Sequence, residues 1–306
     1  MLGNVLADVS AFPVEDLPRE ESRQIDCSIT VQVGGHAGNV CACLGRLSQR
    51  AALIGRVGDD DLGDTLVRVL EREGVNCSMV TADGMARTGV RLNLTGFSGA
   101  RWRIVDGGAN SNVTRYDVSF SLLGDARVFY ACGAHMLPRL PPSDLANALA
   151  AAKELGLTTI VSPTLEPAGK WAEALRSILH HTDVMRPNEA EAKALAGVED
   201  VAAAARAFLA MGCKAVVVTL GPGGHAVFQK EGEAVWSGTV KSRAKDRVGA
   251  GDAFDAGLIT GMMQNLPLPE CARWGAAVAS FSVRGPNAFA AVPGIEAVRR
   301  ALREAS

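Results

Sequence analysis

The feature that most constrains the fold is a rhythm. Short apolar runs recur along the chain, each followed by a segment of helical length. Ala51–Val57 precedes a helix predicted over Leu62–Glu73, Val128–Cys132 one over Ser143–Leu155, and Thr158–Val161 one over Trp171–Leu179. A short strand at Asp183–Met185 and two helices between Asn188 and Met211 follow. Lys214–Leu220 is a continuous apolar run, suited to a strand buried on both faces. Alternation of this kind points to a mainly parallel sheet wrapped by helices. After Gly251 it gives way to helices predicted over Ala253–Gln264, Pro269–Val283 and Ile295–Glu304.

Two segments break the rhythm. Cys27–Val33 and Gly89–Val105 alternate like half-exposed strands, the second interrupted by the turn Gly96-Phe97-Ser98-Gly99. Antiparallel strands outside the main sheet would form a small lid over it, drawn from about residues 9–33 and 88–108. No repeat, low-complexity tract or linker divides the chain, so residues 1–306 read as a single domain with the lid as an insertion. A chain of 306 residues can bury one large core.

The net charge of −2 supplies no electrostatic reason for nucleic acid or an anionic membrane as partner. No apolar run reaches the length of a bilayer span. Met1-Leu2-Gly3-Asn4 lacks the regions of a secretory signal. The seven cysteines form no CxxC pair and read as reduced, mostly buried thiols of a cytoplasmic protein. His180-His181 reads as a helix end and not as a zinc site.

The segment richest in chemistry is Asp246-Arg247-Val248-Gly249-Ala250-Gly251-Asp252-Ala253-Phe254, which enters an apolar helix. Small residues at 249–251 allow close backbone approach, and amides at a helix start attract an anion. A carboxylate beside such an anion hole would repel a phosphate, unless it takes the proton of a hydroxyl attacking that phosphate. The alternative is a glycine turn with Asp252 as N-cap. No GxxxxGK[ST] exists, and Phe254 occupies the third glycine position of a dinucleotide fingerprint, which disfavours a nicotinamide oxidoreductase.

Gly249-Ala250-Gly251-Asp252-Ala253-Phe254, followed by Ala256-Gly257, resembles the C-terminal signature of the ribokinase-like (PfkB) carbohydrate kinases. Gly34-Gly35-His36-Ala37-Gly38-Asn39, with Ser48 and Gly58, resembles their N-terminal signature. Asn188-Glu189-Ala190-Glu191 is similar to the family's NxxE motif, and Thr219-Leu220-Gly221-Pro222-Gly223-Gly224 to its nucleotide-loop strand. The motifs stand in the family's order and cover nearly the whole chain.

The resemblance implies a three-layer α/β/α sandwich with a small β-sheet lid, in an ATP- and Mg²⁺-dependent kinase for a sugar or nucleoside hydroxyl. Asp252 resembles the general base, and the amides of Gly249, Ala250 and Gly251 the anion hole. Asn188 and Glu191 match the pair that organises Mg²⁺ through water, whereas by position alone they could be a helix-capping pair. Thr219, Gly221 and Gly224 match nucleotide-lining positions. Asp8 matches an acidic residue that grips substrate hydroxyls at the end of the first strand, and Gly34, Gly35 and Asn39 match positions around the same sugar. Asp246 and the backbone of Val248 resemble part of a monovalent-cation site for K⁺, which the neighbouring Arg247 could weaken or replace. The family also implies a homodimer formed through the lid.

Departures bear on the acceptor. His36 stands where ribose-specific members tend to carry Lys, Cys41 where Ser, Thr or Ala is usual, and Ser162-Pro163-Thr164 departs from Asp-Pro-Asn. Cys132-Gly133-Ala134-His135 replaces a stretch in which such members place an acidic ligand. Arg101 and Arg103 read as solvated arginines on a half-exposed strand, and the expected acceptor is a neutral cis-diol. Only Met1 and Leu2 precede Gly3, so the first core strand is either short or begins upstream. A non-catalytic sugar- or nucleotide-binding protein on the same fold is the alternative that retention of Asp252, Asn188 and Glu191 opposes.

Overall fold

Val217 packs into one hydrophobic core while Val216 and Val218 pack into another, so this apolar run is buried on both faces. The computed structural model describes residues 1–14, 26–96, 98, 100–164, 170–239 and 248–304. In chain order it contains β1 (Leu6–Phe12), β2 (Ser28–Gly34), α1 (His36–Arg46), β3 (Ala51–Gly58), α2 (Asp61–Arg72), β4 (Val75–Asp83), β5 (Val90–Thr95) and β6 (Arg101–Asp106). Next come β7 (Val128–Cys132), α3 (Pro142–Glu154), β8 (Thr158–Ser162), α4 (Lys170–His180), β9 (Val184–Met185), α5 (Glu189–Ala196) and α6 (Val201–Ala210). The last are β10 (Ala215–Thr219), β11 (His225–Gln229), β12 (Val235–Ser237), α7 (Ala250–Met263), α8 (Leu268–Ser282) and α9 (Ile295–Glu304).

The main sheet runs β12-β11-β10-β9-β8-β7, and β3-β4 continue it through one residue. Leu2 bridges Ile54 on one side and Ala131 on the other, both in parallel. Its N–H donates to Tyr130 O (2.8 Å) and its carbonyl accepts from Cys132 N (3.0 Å). Leu2 therefore holds the place of the first core strand, in the middle of the sheet. Strands β7 to β10 are parallel, and β11 and β12 extend them, each antiparallel to its neighbour. Helices α1, α2, α7, α8 and α9 cover one face, and α3 to α6 the other. This is the expected three-layer arrangement.

Helix α7 begins at Ala250, three residues before the expected start at Ala253. Gly249 makes the early start possible. Its φ is +79°, and a Cβ there would come within 2.8 Å of Ala288 Cα. Asp252 consequently occupies the third helical position, not the N-cap.

A second sheet, ordered β2-β1-β5-β6, stands apart from the first. It is not wholly antiparallel as expected, because β1 and β5 run parallel. The chain crosses into it at Val5, whose N–H and carbonyl are both bonded by the buried Asn110 side chain (2.9 and 2.7 Å). Of the turn after β5, Phe97 and Gly99 lie outside the described residues. Strand alternation divides this sheet chemically. Asp8, Ser10, Thr30, Gln32, Arg91, Asn93, Arg101 and Arg103 share one face by register. Val9, Ala11, Ile29, Val31, Leu92 and Ile104 share the other, where Ile29, Val31 and Ile104 are exposed.

Candidate active site

The carboxylate of Asp252 does not cap its own helix. The N-cap is Gly249, and no side-chain cap hydrogen bond is formed. Asp252 reaches instead to α1, where Asn39 Nδ2 donates to Oδ2 (2.7 Å) and His36 Nδ1 lies 2.8 Å from Oδ1. An ionised carboxylate can only accept, so the proton of that second bond sits on the imidazole. Burial disfavours the imidazolium, but the charge and hydrogen bond of Asp252 outweigh it and raise the His36 pKa above the ordinary value. Asn4 Oδ1 accepts from His36 N (3.1 Å), which fixes the first residue of α1 where the glycine N-cap offers no side chain.

One turn further along α7, Asp255 is fully buried. Arg186 holds it in a fork, Nε donating to Oδ1 and Nη2 to Oδ2 (2.5 Å each), and Tyr130 Oη donates to Oδ2 (2.7 Å). Arg186 Nη2 also donates to Ser162 Oγ. Burial opposes the guanidinium charge, yet Asp255 keeps the Arg186 pKa above its ordinary value.

Two cavities flank the start of α7. One, of about 390 Å³, lies under the polar face of the second sheet and is lined by Asp8, Asn39, Asn93, Arg101, Arg103 and Val248, among others. Asp8 lies within β1, not at the end of a core strand as expected, because the first core strand ends at Gly3 and the chain turns there into the second sheet. Its carboxylate accepts from Arg91 Nε (2.6 Å), Arg91 Nη2 (2.5 Å) and, weakly, Asn93 Nδ2 (3.3 Å). Asn39 Oδ1 and Asn93 Oδ1 are buried acceptors with no partner among the described residues. Arg101 and Arg103, expected to be simply solvated, face this cavity because they share a register face with Asn93 and Asp8. Gly34 packs so closely on Asp8 that a Cβ there would strike the carboxylate. Gly35, at φ +82°, turns the chain from β2 into α1. Gly34 shares the polar face of β2 with Gln32, so both glycines act through the backbone space they leave and not through a side chain.

The other cavity, of about 380 Å³, is lined by Arg186, Asn188, Thr219, Gly221, Gly224, Ala250 and Gly251, with an apolar side that includes Pro222, Phe254 and Val283. The structure thereby brings all three expected nucleotide-loop residues to the glycine-rich helix start. Asn188 and Glu191 form a reciprocal capping box, Glu191 N donating to Asn188 Oδ1 (2.9 Å) and Asn188 N to Glu191 Oε2 (2.8 Å). Asn188 Nδ2 and Glu191 Oε1 have no protein partner among the described residues, so the capping geometry leaves one polar atom of each side chain available to metal-bound water. Burial pushes the Glu191 carboxyl pKa up, against the opposing charge of Arg186. Asp246, expected at a K⁺ site, lies outside the described residues, and Val248 lines the first cavity.

His36, Arg186, Asp255, Arg91 and Asn93 carry much of the site's polarity although no role was expected of them, and of these only His36 stands within a quoted motif. Arg186 could have been noticed as a charge directly after an apolar strand and two residues before Asn188. The Arg91 pairing could not, because only the β1–β5 register places it beside Asp8.

Residues 1–294 match the family described as pfkB family carbohydrate kinase. The ribokinase of Haemophilus influenzae is 28% identical over 299 residues, covering 96% of this chain and 94% of that protein. The 2-dehydro-3-deoxygluconokinase of Thermoproteus tenax is 32% identical over 234 residues, covering 72% of this chain and 70% of that one. The structure of Arabidopsis thaliana ribokinase complexed with ribose and ATP matches with a TM-score of 0.84 at 25% identity, over 99% of this chain and 97% of its own.

Proposed function

The chain belongs to the pfkB family of carbohydrate kinases and is an ATP-dependent carbohydrate kinase, and from that premise we propose that Asp252 is the base that activates a primary hydroxyl of a sugar or nucleoside. The observation that carries this reading is the placement of Asp252. It stands beside a glycine-rich helix start whose amides suit an anion, released from capping, with both oxygens oriented by residues of α1.

Asp252 would take the hydroxyl proton as the acceptor oxygen bonds to the γ-phosphorus. The bond to the bridging oxygen breaks, and its electron pair leaves with ADP. The amides of Gly249, Ala250 and Gly251 would receive the charge that develops on the transferring group. Mg²⁺ held through water by Asn188 and Glu191 would neutralise phosphate charge. The orphaned oxygens of Asn39 and Asn93 call for donors, which suits a hydroxyl-rich acceptor in the first cavity. The proposal of K⁺ rests on the resemblance alone.

Arg101 and Arg103 support a second reading of the acceptor as an anionic sugar, carrying a carboxylate or phosphate. Coupled ADP release across pentoses, hexoses, nucleosides, sugar acids and sugar phosphates tests both. Turnover of a neutral ribofuranose or nucleoside is the expected result. Preferential turnover of an acid or phosphate, lost on replacing Arg103, would favour the second reading. ADP release with none of these classes would count against a sugar or nucleoside acceptor.

A further inference from the structure

The Arg186 guanidinium has five N–H donors, and only part of this set is used within the protein. Nε and Nη2 serve Asp255 and Ser162. Nη1 has no partner among the described residues. The side chain nevertheless lines the cavity that contains Asn188, Thr219 and Gly224. At Gly251, a Cβ built on the backbone would lie 3.6 Å from Nη1, so the free amine stands directly beside the second residue of α7.

A buried arginine whose role was only to neutralise Asp255 would gain nothing from presenting an unpaired amine to a cavity. Here the fork to Asp255, the Ser162 contact and the Tyr130 hydroxyl immobilise the guanidinium before any ligand arrives. Donors held rigidly where charge develops need no reorganisation during reaction. We propose that Arg186 is a further catalytic residue, its Nη1 donating to the transferring phosphoryl group alongside the amides at the start of α7. Asp255 and Ser162 are positioning residues for it. This role rests on the proposed reading of the site, in which the acceptor oxygen bonds to the γ-phosphorus, ADP leaves with the bridging electron pair and Asp252 receives the proton.

The test compares wild type, Arg186→Met, Asp255→Asn and the double variant Arg186→Met/Asp255→Asn. The double variant removes both charges, so it remains informative if Arg186→Met alone fails to fold around a stranded carboxylate. Turnover is measured with Mg·ATP and the best acceptor from the ADP-release screen, and binding with Mg·AMP-PNP and Mg·ADP. Relative to Asp255→Asn, the double variant should lose about 100–1,000-fold in kcat, the range for removing one oxyanion donor. It should also bind AMP-PNP about tenfold or more weakly while ADP affinity stays within about twofold, because only AMP-PNP carries a γ-phosphate analogue. Equal kcat in the two variants, or parallel loss of ADP and AMP-PNP binding, would overturn the role of Arg186. Wild-type protein that transfers phosphate to no acceptor would instead overturn the reading beneath it.

Discussion

Asp252 could have been a helix cap, and its two possible fates differ in what a substitution does. Because it bonds to α1 and leaves the helix N-terminus uncapped, Asp252→Asn should preserve folding and ATP binding. Turnover should fall by about 100-fold or more, the usual scale of general-base loss. Near-normal turnover of the confirmed acceptor would remove Asp252 from the chemistry. Its partner His36 makes a separate prediction about pH. Asp252 faces it closely, with Arg91, Arg186 and Glu191 also acting on or through its charge. Since the folded pKa is raised, the pair's contribution to stability is complete below the ordinary imidazole pKa of about 6.5 and is lost as pH rises through the folded value. The Tm difference between wild type and His36→Asn should therefore shrink as pH rises across that window. A difference independent of pH would show that the ion pair contributes nothing.

At the scale of the element, α5 shows how one device can serve both fold and site. The Asn188–Glu191 box closes the helix start, while Asn188 Nδ2 and Glu191 Oε1 remain free of protein partners among the described residues. Glu191→Gln keeps an oxygen able to accept from Asn188 N but removes the charge. Stability should change by less than the about 0.5–2 kcal/mol typical of a lost cap. The Mg²⁺ concentration for half-maximal rate should rise severalfold, as expected for outer-sphere binding of a hydrated ion. Unchanged Mg²⁺ dependence would make the pair a cap and nothing more.

For the whole molecule, the second sheet has two unlike faces. Its polar face lines the cavity of about 390 Å³, and Asn287 Nδ2 donates to Gln32 Oε1, tying β2 to the segment after α8. We propose that this sheet is the expected lid, excluding water during transfer. Its other face leaves Ile29 63% and Val31 58% exposed, in register with Val9 and Ala11. As the resemblance implies, we propose that a second copy of the chain covers this apolar face. Sedimentation should then find a dimer for wild type and a monomer for Ile29→Glu. A wild-type monomer at tens of micromolar would leave the face without that partner.

The layers of the sandwich were legible in the sequence because their signals are local. Apolar runs such as Lys214–Leu220 must be buried on both sides, and the helices expected within Asn188–Met211 and over Ile295–Glu304 follow from periodicity and capping. A glycine-rich turn into a helix at residues 249–251 was legible too, but the helix begins at Ala250 and not at the expected Ala253, because Gly249 takes a positive φ. What no local pattern could specify was which side chains meet across the fold. Asp8 finds Arg91 through a strand pairing 83 residues apart in sequence. His36 and Asp252 meet across 216 residues, and Arg186 and Asp255 across 69. Such contacts depend on sheet order and on the early start of α7, which turns Asp252 from the N-cap toward α1. Propensity acts within a few residues, whereas electrostatic pairing depends on distance in space, and only the closed tertiary structure sets that distance.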